Sequence, residues 1–165
     1  HKELKSIKKN LITIIIPRHI ERKDEIVNEL NKIGLKTQLH SSSEKLNKNT
    51  DIYLVDTYGE AYKFYGLSKL TFLGGSLVQH GGQNPLEPAR EGNYIIYGPN
   101  VENFKEVYKM LKNLRIASKV KTINEMKDII KAKINYREKK MVIKKLNFEG
   151  NKVLNKNFTE INKYI

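Results

Sequence analysis

The feature that most constrains the fold is a unit of strand, glycine loop, helix and strand near the middle of the chain. The apolar run Leu70–Leu73 ends in Gly74-Gly75-Ser76, as a buried strand does when it enters a tight turn. A second glycine pair, Gly81-Gly82, follows, and Tyr94–Tyr97 supplies the next apolar run. Strands that alternate with a helical segment in this way predict a parallel sheet covered by helices.

The tetrapeptide Asn84–Glu87 predicts where the helix of this unit begins. Asn84 is a good N-cap, Pro85 suits the first helical position, and the Glu87 carboxylate can reach back to the N–H of the cap residue. Such a start aims free N–H groups and the positive end of a helix at the space where open α/β sheets bind ligands. The segment therefore either binds a ligand or only completes turns and a capping box.

Two further strands end in polar clusters. Leu11–Pro17 is rich in β-branched residues and is predicted to be a fully buried parallel strand, followed by Arg18 and His19. The forked donors of Arg18 could hold a phosphate or a carboxylate, although an exposed loop arginine is the alternative, and His19 can simply brace the turn. Asp51–Val55 is another buried strand, and the turn Asp56–Glu60 follows it, with residues that can cap the next helix.

The whole pattern predicts an α/β fold, a parallel sheet flanked by helices in a single domain of residues 1–165, with basic helices over residues 135–165. Predicted strands cover residues 11–17, 35–40, 51–55, 70–73, 94–97 and 116–120. Predicted helices cover residues 1–10, 22–33, 60–65, 101–114, 122–134, 136–149 and 151–164. We expect Gly34 to end one helix, Thr122 and Glu125 to form a capping box, and Gly150 to interrupt the last two helices.

The formal net charge of +13 is concentrated towards the end of the chain, since residues 1–99 contribute +3 and residues 100–165 contribute +10. A basic segment can bind an anionic membrane surface or nucleic acid. The Lys-rich composition of the whole chain is the simpler explanation, and the arginine clusters and aromatic platforms of nucleic-acid binding are missing, so nucleic acid is not expected. The absence of cysteine excludes thiol chemistry, and no apolar run is long enough to span a bilayer.

Five short motifs follow one another along the chain. They are PRH-x-ER from Pro17, DT-x-GE from Asp56, GGS from Gly74, GG-x-NPLEPA from Gly81 and YGP from Tyr97. In this order and at this spacing they resemble the donor-binding half of the 3-deoxy-D-manno-octulosonic acid (Kdo) transferase family. The resemblance covers about residues 11–103 and is weaker towards the end.

The resemblance implies a Rossmann-like domain, the C-terminal half of a GT-B glycosyltransferase, here without its first strand. It also implies a metal-independent, inverting transfer of Kdo from CMP-Kdo to a lipid A precursor, lipid IVA, in lipopolysaccharide core biosynthesis. The acceptor domain and the catalytic base are then expected outside this chain, which alone would bind the donor without activity. The enzyme would lie peripherally at the cytoplasmic face of the bacterial inner membrane.

The resemblance also implies a nucleotide-binding set: Pro17, Arg18, Tyr58, Gly59, Glu60, Asn84, Pro85, Leu86 and Glu87. Arg18 would clamp the donor phosphate or carboxylate, and Glu87 would accept hydrogen bonds from the ribose hydroxyls. Relatives more often carry an aliphatic residue or Met at the position of Tyr58. No Asp-x-Asp pair, Cys/His cluster or Walker loop is present, so neither metal nor cofactor is expected, and Arg18 with loop N–H groups must neutralise the leaving phosphate.

Three matters stay open in the sequence. The family has a further strand before the first helix of this chain, and without it we expect a rearrangement or a self-association that pairs the exposed strand edge. A different GT-B enzyme or an epimerase that uses a UDP or GDP sugar is an alternative function. A non-catalytic basic module that binds nucleic acid or a membrane is the other.

Overall fold

The computed structural model describes residues 1–79, 81–136 and 139–164, without the side chain of Lys139. The chain divides into two compact units, His1–Phe64 and Tyr65–Ile165. Each unit carries a three-stranded parallel sheet with helices between its strands. The predicted α/β class is therefore confirmed, whereas the single-domain boundary stays a prediction.

The first unit has β3 at the centre of its sheet, with β1 and β2 parallel to it on either side. Its strands are β1 (Thr13–Ile15), β2 (Thr37–Leu39) and β3 (Ile52–Leu54), and its helices are α1 (Lys2–Ile7), α2 (Lys23–Lys32) and α3 (Ala61–Leu67), the last of which crosses the unit boundary. Short 3₁₀ helices follow β1 and β2, at Ile20–Arg22 and His40–Ser42. Gly34 has φ +74° and follows α2, as predicted for the position after a helix end.

The prediction that Leu11–Pro17 is a fully buried strand is wrong. Its strand residues Thr13–Ile15 are half-buried, because β1 lies at the edge of its sheet and pairs with β3 alone among the described strands. Burial is instead concentrated in the central strand, where Ile52 and Leu54 are almost fully enclosed, as is the following Val55. The β-branched composition thus predicted a parallel strand but not its place in the sheet.

The second unit has β5 at its centre, between β4 and β6. Its strands are β4 (Leu70–Leu73), β5 (Tyr94–Tyr97) and β6 (Ala117–Lys119), and its helices are α4 (Leu86–Arg90), α5 (Lys105–Asn113) after a 3₁₀ turn at Glu102–Phe104, α6 (Ile123–Lys133) and α7 (Lys139–Ile161). All four residues of β5 are buried, and the core around them includes Tyr108, Leu111 and Ile116. The edge strand β4 is more exposed than predicted, with Phe72 on the surface.

The predicted start of α6 is confirmed with one difference. Thr122 Oγ1 accepts a hydrogen bond from the Glu125 N–H at 3.2 Å, as an N-cap should. The Glu125 carboxylate reaches the N–H of Lys121 at 2.7 Å, one residue before the cap. One N–H group of the first helical turn, and the N–H of the residue before the cap, are therefore satisfied.

The predicted interruption near Gly150 is wrong, because α7 runs without a break from Lys139 to Ile161. Glycine in a helix costs only about 1 kcal/mol relative to alanine, and no proline follows it to end the helix. Val142 and Leu146 anchor the first part of α7 in the core, whereas residues 151–161 are all exposed. Residues 137 and 138 of the predicted helix lie outside the described residues.

Each sheet has two edge strands with one described partner each, β1 and β2 in the first unit and β4 and β6 in the second. Such edges present unpaired N–H and C=O groups that can pair with another chain. Self-association through an edge stays a prediction. Within the described ranges, no helix combines the length and the apolar character needed to cross a bilayer.

Candidate functional site

The first part of the candidate site lies at the carboxyl ends of the parallel strands of the first sheet. Arg18 follows β1, His40 follows β2 and the turn Tyr58–Glu60 follows β3, so all three lie at the same edge. The Tyr58 hydroxyl donates to Glu21 Oε1 at 2.8 Å, which joins the turn after β3 to the loop after β1. The structure therefore brings two of the three predicted site segments together.

Arg18 has the surroundings of a ligand-binding side chain. Pro17 follows the end of β1, and the Arg18 side chain is exposed. Arg18 makes no hydrogen bond or ion pair with any residue of the described ranges. Its guanidinium can therefore offer its full set of donors to an anion, and the fork geometry suits a phosphate or a carboxylate.

Asp56, which the sequence offered as a helix cap, holds the loop after β2. Its two carboxylate oxygens accept hydrogen bonds from the Ser41 N–H at 2.9 Å and the Ser41 hydroxyl at 2.6 Å. Burial alone would raise the pKa of Asp56, but the Ser41 bonds outweigh burial and keep this pKa below its ordinary value. The loops after β2 and β3 are thus fastened to each other.

The Glu60 carboxylate closes the turn after β3. Oε1 accepts from Lys63 Nζ at 2.5 Å, and Oε2 accepts from the Thr57 hydroxyl at 2.5 Å and from His40 Nε2 at 2.9 Å. The hydrogen bond from Lys63 is the largest cause, and that from Thr57 the next, of a Glu60 pKa lowered to about 2. The side chain is ionised at neutral pH and both of its oxygens are occupied. Gly59 beside it has φ +77°, a conformation that favours glycine.

Acid should destabilise the first unit through these carboxyls. A carboxyl whose pKa is lower in the folded than in the unfolded chain stabilises the fold above its unfolded pKa, 4.5 for Glu60 and 3.8 for Asp56. This contribution is lost as the pH falls through the folded pKa. We expect the urea midpoint of the first unit to fall progressively below about pH 4.5, followed by circular dichroism. Ser41→Ala should make this fall in the urea midpoint smaller. Equal urea midpoints of the unsubstituted chain at pH 7 and pH 3.5 would contradict the account.

The second unit holds its glycine loop with Ser76. The Ser76 hydroxyl donates to the Leu73 carbonyl at 2.6 Å and accepts from the Gly98 N–H at 2.8 Å, while its carbonyl accepts from the Asn100 N–H at 2.9 Å. These bonds fasten the turn after β4 to the end of β5. Both strand ends are thereby fixed where the loop towards α4 begins.

The helix start after this loop agrees in part with its prediction. Asn84 Oδ1 accepts from the Leu86 N–H at 3.0 Å, but α4 begins one residue later than predicted, so the N-cap is the buried Pro85 and not Asn84. The predicted reach of Glu87 back to the cap is not made: its carboxylate is exposed and forms no hydrogen bond or ion pair with the described residues. Tyr108 fixes the preceding loop by donating its hydroxyl to the Gln83 carbonyl at 2.8 Å. The Glu87 carboxylate is left available to a ligand.

The predicted site residues divide between the units. Pro17, Arg18 and Tyr58–Glu60 belong to the first unit, and Asn84–Glu87 to the second. Their convergence on one nucleotide stays a prediction. His40 was not predicted, although a polar residue directly after a strand was the signal that marked the other segments. Among the described residues, no group of three or more His, Asp or Glu could hold a metal ion.

Comparison with known proteins gives consistent matches. No family model matches the chain. A 3-deoxy-D-manno-octulosonic acid transferase of Haemophilus influenzae is 35% identical over 139 residues, 84% of this chain and 33% of the relative. The enzyme of that name from Rickettsia bellii is 32% identical over 77% of this chain and 31% of the relative, and the probable mitochondrial enzyme of Arabidopsis thaliana is 33% identical over 72% and 28%. This chain therefore spans about a third of the length of these relatives.

A solved structure shares the fold. The crystal structure of the C-terminal CMP-Kdo binding domain of WaaA from Acinetobacter baumannii superposes with a TM-score of 0.78 at 27% identity, covering 87% of this chain and 76% of that one. The fold is therefore that of a Rossmann-like domain. The chain is a homologue of the Kdo transferases over about a third of their length, which confirms the resemblance seen in the sequence.

Proposed function

We propose that this chain forms the CMP-Kdo-binding part of a Kdo transferase. The observation that carries the proposal is the carboxyl end of the first sheet. There the guanidinium of Arg18, which has no partner among the described residues, follows β1 and the turn Tyr58–Glu60 follows the neighbouring β3. Similarity to a CMP-Kdo binding domain over most of the chain supports the donor. The transfer itself would require the remainder of the longer protein, so we expect the chain alone to bind without catalysis.

Each segment has a part in binding the donor. Arg18 would hold the phosphate that leaves with cytidine, because its charge and paired N–H groups stabilise the negative charge that develops there. Gly59 and Glu60 would contact the nucleotide through their backbone, since the Glu60 carboxylate is already occupied. The Asn84–Glu87 segment would bind CMP at the start of α4, and the exposed Glu87 carboxylate can accept from both ribose hydroxyls.

The acceptor and the location are finer parts of the same proposal. The acceptor would be a lipid A precursor in lipopolysaccharide biosynthesis. It would be bound by the part of a Kdo transferase that lies outside the region similar to this chain. The protein would act at the cytoplasmic face of the inner membrane, and the exposed Lys side chains of α7 could contact anionic lipid there. Retention on anionic vesicles that weakens as salt rises would support this location.

Calorimetry with nucleotides tests the donor. The chain should bind CMP and should bind UDP and GDP at least tenfold more weakly, since about 1.4 kcal/mol of base discrimination suffices for that ratio. Preference for UDP or GDP would instead identify a different sugar nucleotide. Steeply salt-dependent binding of DNA without any nucleotide response would favour a basic binding module.

Glu87→Gln tests the ribose contact within that experiment. The amide keeps the size of the carboxylate but removes its charge and one acceptor, so CMP should bind about tenfold more weakly, as expected when a charged hydrogen bond is lost. The exposed Glu106→Gln, on α5, is the matched control and should change little. An affinity of Glu87→Gln within twofold of the unsubstituted chain would exclude the ribose role.

A further inference from the structure

His40 is held by three neighbouring side chains at the carboxyl end of the first sheet. His40 is the first residue of the 3₁₀ helix directly after β2. Both nitrogens of its ring are hydrogen-bonded: Nδ1 lies 2.9 Å from the Tyr53 hydroxyl and Nε2 lies 2.9 Å from Glu60 Oε2. The ring also makes edge contacts with Tyr53, at 5.8 Å between centroids, and with Phe64, at 5.2 Å. Two hydrogen bonds and two ring contacts together restrict the orientation of this side chain.

The partners of His40 define its protons. An ionised carboxylate can only accept, so the hydrogen between His40 and Glu60 belongs to Nε2. In the neutral imidazole Nδ1 is then the acceptor, and the Tyr53 hydroxyl donates to it. The result is a chain of hydrogen bonds directed from Tyr53 through His40 to Glu60.

These hydrogen bonds end at Glu60, in the turn that is proposed to contact the nucleotide. The Glu60 carboxylate also binds Thr57 and Lys63, so the turn is closed from within, and no ligand is needed to hold the side chain. The backbone N–H groups of Gly59 and Glu60 donate no hydrogen bond within the described ranges. A turn held in this way presents free donors in a fixed place.

We propose that His40 is a positioning residue of the nucleotide site, which holds the Glu60 carboxylate through Nε2 and thereby fixes the turn at Gly59 for contact with the nucleotide. This inference rests on the proposed function. It adds a residue that belongs to none of the recognised motifs and assigns the Glu60 side chain to support rather than to direct contact.

Two amide variants separate the two ring nitrogens. Asparagine at position 40 places its amide near the position of Nδ1, whereas glutamine reaches that of Nε2. His40→Gln should therefore keep the bond to Glu60 and bind CMP within twofold of the unsubstituted chain. His40→Asn and His40→Ala should bind CMP about fivefold to tenfold more weakly, as expected when one hydrogen bond to a charged group is lost. Ser42→Ala, which removes a hydrogen bond to the Leu39 carbonyl from the same 3₁₀ helix, is the control and should not change the affinity.

The ¹⁵N chemical shifts of His40 give a second, independent readout. The unsubstituted chain should show the proton on Nε2, and Tyr53→Phe should loosen that preference while leaving the ring in place. Thermal unfolding of every variant checks that a weaker affinity is not caused by a lost fold.

The outcomes separate this inference from the proposed function. If His40→Asn and His40→Ala bind CMP as tightly as the unsubstituted chain, or if the proton lies on Nδ1, the inference is overturned while CMP binding stands. If His40→Gln fails as badly as His40→Ala although both are folded, the role assigned to Nε2 is wrong. If the unsubstituted chain binds UDP or GDP in place of CMP, the proposed function fails and the same variants judge His40 with that nucleotide. If it binds none of the three, both proposals fail.

Discussion

Replacing Gly98 with alanine should destabilise the second unit by about 3 kcal/mol, the upper end of the usual cost of overpacking. A Cβ at this position would lie 2.6 Å from the Leu77 nitrogen and closer still to the Ser76 carbonyl group. These are backbone atoms, so no side-chain rotation can relieve the clash. Any shift that does so also strains the hydrogen bonds that Ser76 makes to Gly98 and Asn100.

Urea unfolding of the substituted and unsubstituted chains measures this effect. Gly74→Ala is the matched control, because Gly74 is exposed, belongs to the same two strand ends, and an added Cβ there would meet nothing within 4 Å. Its effect should stay within about 0.5 kcal/mol, as at most surface positions. Equal stability of the two variants would contradict the close approach of the Gly98 and Ser76 backbones.

Replacing Arg18 with alanine should weaken CMP binding about 30-fold, which corresponds to about 2 kcal/mol for charge-assisted bonds to a phosphate. The Arg18 side chain supports no other described residue, so the fold should keep its stability. Arg18→Lys keeps the charge but loses the paired donors. Its affinity for CMP should therefore lie between that of the unsubstituted chain and that of Arg18→Ala. Calorimetry gives the affinities, and thermal unfolding confirms the fold.

The exposed Arg90 at the end of α4 supplies the control for charge alone. Arg90→Ala removes the same side chain and the same net charge from the surface, and CMP affinity should change less than twofold. If Arg18→Ala and Arg90→Ala weaken binding equally, the effect of Arg18 is a general attraction of the basic chain for anions. Arg18 would then not be a phosphate clamp.

The features that the sequence predicted well are those decided by neighbours along the chain. The Thr122 cap, the left-handed Gly34 and the strand Tyr94–Tyr97 each depend on a few adjacent residues. The short motifs made the family recognisable for the same reason, because each one is contiguous.

The features that were missed depend on partners distant in sequence. The burial of β1 is set by the order of strands in the sheet, which its composition does not encode. The Glu87 carboxylate had a local partner within reach but stays exposed, whereas Glu60 is bound by His40, which lies 20 residues before it. The break predicted at Gly150 failed because the small propensity cost of one glycine does not outweigh the residues on both sides.

A CMP titration of the ¹⁵N-labelled chain tests the central claim most directly, namely that the loops after β1 and β3 bind the nucleotide. The account predicts that saturating CMP shifts the backbone amides of Arg18 and Gly59 together, with one common affinity. No shift of these amides, or different affinities for the two, would contradict it.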